Sequence, residues 1–187
     1  MKIKLTNERH EEIKNIVVDM FEKYHICSLP IDGFKIATKM GIKVVPYSKY
    51  RLSIQKKLLQ KSEDGFFIEL ANGELYIFYN DNSVYGRINN TIMHEIGHIV
   101  LGHTQESDLA EKEVNFFAKY ALVPPTLVHI LGITNSYDIA RIFNVSNEAA
   151  DYAYNYYKKW LEYGSVDYTE YEKKTIKLFA QNLNVLI

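Results

Sequence analysis

The 187-residue chain is predicted to adopt an α+β fold: a small antiparallel or mixed sheet containing a hairpin, packed on a helical core and followed by a C-terminal helical subdomain. Three observations predict it. Apolar residues recur at helical spacing through most of the chain; β-branched residues crowd into one short run at 42–47; and Asn72-Gly73, the pair that most easily supplies a tight turn, joins two aromatic runs within residues 65–80. At 47% hydrophobic content the chain can bury one good core, so residues 1–187 read as one domain. Within it, 1–124 form the core and 125–187 a helical, helix-turn-helix-like packing subdomain.

In order along the chain, residues 7–24 carry Ile13, Ile16, Val17, Met20 and Phe21 between charged positions, an amphipathic helix. Pro30 is expected to open a shorter helix ending near Gly41, and 42–47 a strand that stops at Pro46. Residues 48–64 are rich in lysine and serine, with a short helix around 54–60. The hairpin follows, then a helix through residues 89–101, a polar loop, and a helix from Leu109 to Leu122 stopped by Pro124-Pro125. Helices over 125–131, 136–143, 147–162 and 168–181 complete the chain.

Composition removes several function classes. With 22 basic and 23 acidic residues, the formal charge of −1 gives no general drive toward nucleic acid or anionic lipid. The first 21 residues have charges scattered through them and lack the apolar core of a secretory signal, and no apolar run approaches a membrane span, so the cytoplasm is the expected compartment. The single cysteine, Cys27, excludes an internal disulfide framework and reads as a buried packing thiol.

The chemistry is concentrated in NNTIMHEIGHIVLGH, residues 89–103. On a helix, positions four apart project from nearly one face, so the imidazoles of His94 and His98 can converge on a metal ion. Zn²⁺ accepts neutral imidazole and, in catalytic sites, takes three protein ligands and a water. Glu95 points to the side of that clamp, where a carboxylate can act as general base without ligating the ion. Ile92, Ile96, Ile99 and Val100 give the helix an apolar face, and Gly97 leaves room for another element.

A third ligand is required. A metzincin arrangement fails, because glycine and histidine would be needed where Leu101 and Thr104 stand; His103 reads as a loop histidine closing the helix or the cleft edge. Glu111 and Glu113 of the next helix remain. Val114, Phe117, Ala118 and Ala121 define its core stripe, and Glu111 sits one turn before Val114 on that side, whereas Glu113 is rotated away. The helical face therefore favours Glu111, and Asn115, four residues on, can hydrogen-bond a ligand histidine and fix its tautomer.

These segments resemble the ImmA/IrrE family of bacterial and phage metallopeptidases, a gluzincin branch. The similarity runs from GIKVVPY through the hairpin and HEIGH to EKEVNFFAKYALVPP, where Val114 and Val123 replace the family's usual alanine and methionine. The resemblance implies a zincin-like fold, Zn²⁺ held by His94, His98 and Glu111, and peptide hydrolysis. It further implies a protein substrate, a helix-turn-helix transcriptional repressor. Two other classes compete. Residues 137–160 look like a helix-turn-helix, but the would-be recognition helix opens Asn147-Glu148-Ala149-Ala150-Asp151, acidic where phosphate contacts belong, so direct nucleic-acid binding is not expected. Its stripe Ala149, Tyr152, Ala153, Tyr156 and Trp160 reads as core. A zinc-binding sensor without proteolysis is the third reading.

Overall fold

The computed structural model describes residues 4–105, 107–163 and 167–183. Thr6 starts α1 (Asn7–Lys23) by accepting from Arg9 N–H at 3.2 Å, and Ile13, Val17, Val18, Met20 and Phe21 form its buried stripe. The next helix, α2 (Gly33–Lys39), begins three residues later than Pro30. The Asp32 carboxylate accepts from the backbone N–H of Phe34 and Lys35, and that cap sets the start. Cys27 is half-buried and reduced, less enclosed than a core thiol.

Strand β1 (Lys43–Pro46) leads through a 3₁₀ turn at Tyr47–Lys49 to helix α3 (Leu52–Lys61), which starts two residues before the expected segment. The hairpin is β2 (Gly65–Glu69) and β3 (Leu75–Tyr79), turned at Gly73 with φ +80° while Asn72 Oδ1 accepts from Glu74 N–H. The strand order is β1-β3-β2, with β1 parallel and β2 antiparallel to β3; Ile77, opposite Val44 and Phe67, is fully buried at the centre. The sheet is mixed, and the α+β class stands as expected. β2 lies at an edge, and β3, enclosed by two neighbours, is not available for strand addition.

The sheet rests on α4 (Tyr85–Leu101), which ends where Gly102 takes φ +71°, and α5 (Asp108–Leu122) is capped by Ser107 accepting from Ala110 N–H. Buried Asn89 ties α4 to the start of α2: its Oδ1 accepts from Gly33 N–H at 2.7 Å and its amide donates to Ile31 C=O at 2.9 Å. A Cβ built on Gly97 would lie 3.0 Å from Phe117 Cδ1 and 3.4 Å from Val114 Cβ, so α4 and α5 approach at a residue with no side chain. Gly97→Val is accordingly expected to cost about 3 kcal/mol by overpacking, read as a lower urea midpoint at unchanged slope.

The C-terminal part comprises α6 (Pro125–Ile130), α7 (Ser136–Phe143), α8 (Asn147–Tyr163) and α9 (Glu170–Leu183). The turn between α7 and α8 has Asn144 at φ 52° and Ser146 capping through Ala149 N–H. The α8 stripe differs from its expected position. Ala150, Ala153 and Tyr157 are the buried residues, whereas Tyr152 is 44% exposed, because α8 turns Tyr157 onto α6, where its hydroxyl meets His129 Nδ1 at 3.0 Å. Of the expected stripe Ala153 is buried, Tyr156 and Trp160 are half-buried and pack against the core, and Tyr152 faces outward. Among the described residues no helix is long and apolar enough to cross a membrane.

Candidate metal centre between two helices and a sheet edge

His94 and His98, one turn apart on α4, turn their Nε2 atoms toward each other at 3.2 Å. Glu111, in the first turn of α5, brings Oε2 to 3.5 Å from His94 Nε2 and Oε1 to 3.2 Å from His98 Nε2. The donor chemistry and spacing fit a metal. Ligand atoms at zinc distances around a tetrahedral ion lie about 3.3 Å apart, and these three edges bracket that value. Among the described residues, these three are the group whose ligand atoms lie close enough together to hold one ion.

Electrostatics favour the ligating state of His94. Burial holds its proton affinity below the ordinary value of 6.5, Glu111 opposes that, and the neighbouring His98 adds to the lowering. The Asn115 side chain hydrogen-bonds the His94 imidazole, while its Nδ2 donates to Glu111 C=O at 2.6 Å. That places Asn115 where the sequence puts it, beside a prospective ligand and one turn from Glu111.

Glu95 lies beneath the edge of the sheet, only 7% exposed, and its Oε2 accepts from Phe67 N–H of β2 at 3.0 Å. The Phe67 ring stacks against the His98 imidazole with centroids 5.9 Å apart. One residue of β2 thus fixes Glu95 through its backbone and covers His98 with its side chain. Glu95 also acts on Tyr47, whose phenol is pushed up to about 12, first by burial and then by this negative charge. A cavity of about 460 Å³ opens over the group, walled by Lys61, Gly65, Phe66 and Gln105.

Glu113, set aside as rotated away from the core side, is nevertheless buried, and its partners explain why it is absent from the triangle. Arg9 of α1 donates from Nε to Oε1 and from Nη2 to Oε2, both at 2.8 Å, and His103 Nε2 lies 2.9 Å from Oε2. His103 Nδ1 in turn faces His98 Nδ1 at 3.1 Å. A continuous line runs His98, His103, Glu113, Arg9, and sequence reading missed it. The periodicity of α5 carries no information about α1, and nothing local points to Arg9, 104 residues from its partner.

The Arg9 hydrogen bonds hold the Glu113 carboxyl below its ordinary value of 4.5. A depressed carboxyl contributes stability that is fully present above the unfolded-state value and is lost as pH falls through the folded one. Arg9→Ala is expected to lower stability by about 2 kcal/mol at pH 7, a deficit that shrinks as denaturation is repeated at progressively lower pH below 4.5.

Comparison with known families adds one match: the model of the IrrE N-terminal-like domain, Peptidase_M78, aligns with residues 38–155. That span runs from α2 into α8 and contains His94, Glu95, His98 and Glu111, but not Arg9. No curated protein matches the chain.

Proposed function

The chain belongs to the Peptidase_M78 family, the IrrE N-terminal-like domains, and from that premise we propose that it is a zinc-dependent endopeptidase in which His94, His98 and Glu111 hold Zn²⁺ and Glu95 is the general base. The observation that carries this reading is the triangle of ligand atoms from two helices, with a separately anchored carboxylate beside it. Bound there, zinc would polarise the scissile carbonyl and acidify a water molecule.

The protein's own side chains do the rest. Glu95 takes the proton of the attacking water and returns it to the leaving amine, its position fixed by Phe67 N–H. His103 occupies the Nδ1 of His98, leaving that ring's Nε2 lone pair to the ion, and Asn115 is the side-chain hydrogen-bond partner of His94. On the outer edge of β2 the N–H groups of Gly65 and Phe67 are taken by Ser62 and Glu95, so an extended peptide laid along it over the cleft would pair through the strand's remaining main-chain groups.

A peptidase needs a protein substrate, and we infer a cytoplasmic helix-turn-helix repressor. Co-expression with the helix-turn-helix regulator encoded next to this chain tests that: a truncated regulator is expected with the native chain and none with His94→Ala. Shift assays showing that the chain itself binds DNA, with the regulator intact, would favour the DNA-binding alternative. His103→Ala is expected to weaken zinc binding about tenfold or more in a competition titration with a chromogenic chelator, with the fold retained by circular dichroism.

A further inference from the structure

A basic surface to which the proposed mechanism assigns no role lies at the cleft's rim. Residues 48–62 contain Lys49, Arg51, Lys56, Lys57 and Lys61 and no acidic residue, leaving 17 basic against 23 acidic residues elsewhere. Helix α3 within this segment has no buried residue; Ile54 and Leu58 are half-buried, while Leu52 is 74% and Leu59 38% exposed. Among the described residues none of the five cations forms an ion pair, although the surface lysines Lys43, Lys173 and Lys174 do. Lys57 and Lys61 stand one turn apart, and Lys61, with its ammonium 4.3 Å from the Phe66 ring centroid, walls the cavity over the histidine pair.

We propose that α3 is a capture surface for an acidic, partly apolar segment of the protein substrate, delivering the adjoining chain to the edge of β2. Charge complementarity sets the sign, since solvated cations with no carboxylate partner among the described residues attract an anionic chain over roughly 10 Å at physiological salt. Continuity with the cleft favours a polypeptide over a bilayer or nucleic acid. α3 ends at Lys61, Ser62 lines the same cavity, and β2 starts at Gly65, so a bound segment passes directly onto the strand that anchors Glu95. The exposed Leu52 and Leu59 supply apolar contact that a phosphate backbone would not use.

The occupant's identity as substrate rests on the peptidase reading, but capture is measured without cleavage, so failure of either is distinguishable. The probes are a fluorescein-labelled 16-residue peptide of alternating Glu and Leu or Ala, and its Gln counterpart, bound to the full Glu95→Gln chain and followed by anisotropy in 50 mM salt. The acidic peptide is expected to bind at least tenfold more tightly than the Gln peptide, and the preference to disappear in Lys56→Glu/Lys57→Glu/Lys61→Glu. The milder Lys57→Gln/Lys61→Gln, less prone to disturb folding, should lose about threefold. Equal binding of the two peptides, or an unchanged preference in both folded variants, overturns the proposal. So does tighter binding of a 16-nucleotide single strand or of phosphatidylserine vesicles through the same lysines.

Discussion

Replacing Glu95 with Gln is expected, on the proposed zinc peptidase reading, to leave the metal bound and to reduce kcat for peptide cleavage by about a thousandfold or more. The isosteric amide still accepts from Phe67 N–H through its oxygen, so β2 and the helix beneath it keep their places. What disappears is the capacity to take a proton from water, a contribution of 10²–10⁴ in general-base catalysis, and with it the return of that proton to the leaving amine. Zinc content by elemental analysis and single-turnover cleavage separate the two effects. Undiminished proteolysis with full zinc would remove Glu95 from the mechanism; lost zinc would make it a structural support of the metal instead.

The second large effect concerns which acidic residue serves the metal. Glu111→Ala removes one corner of the triangle and is expected to weaken zinc binding at least a hundredfold, abolishing cleavage at submicromolar metal. Glu113→Ala is expected to weaken it far less but to destabilise the fold more, because it strands the partly buried Arg9 guanidinium. The two variants therefore separate in opposite order, Glu111→Ala in metal titration and Glu113→Ala in urea denaturation. The reverse order in the titration would reassign the ligand.

Much of this arrangement was legible in the sequence because it is local. Although the apolar stripe of Val114, Phe117 and Ala121 did not predict that Glu113 is buried while Glu111, the residue near the histidines, is exposed, the four-residue spacing of His94 and His98 fixes their shared face on any helix. Gly97 was readable as a place of close approach for the same reason, and Phe117 fills it. Asn72-Gly73 announced the hairpin, though its residues do not say which strand lies outermost. That depends on β1 pairing with β3, a contact between segments some 30 residues apart.

Where the reading went astray, the deciding partner was distant or the periodicity ambiguous. α8 offers tyrosines on several faces, and only Tyr157 meeting His129 chooses among them. The start of α2 turned on the Asp32 side chain, a stronger local signal than Pro30. The line from His98 to Arg9 joins three residues within 98–113 to one 104 positions from its partner, each ordinary in its own neighbourhood.

That line also bears on where the molecule can be cut. The family match begins at residue 38, yet the guanidinium that occupies Glu113 belongs to the helix before it. An excised 38–155 piece would keep every prospective zinc donor and His103 but lose Arg9, leaving the Glu113 carboxylate, two positions from Glu111, without its cation and a potential rival for the ion. Minimal fragments chosen from sequence matching alone would thus be prone to mis-metallate, and the leading helix is best regarded as insurance against the wrong glutamate.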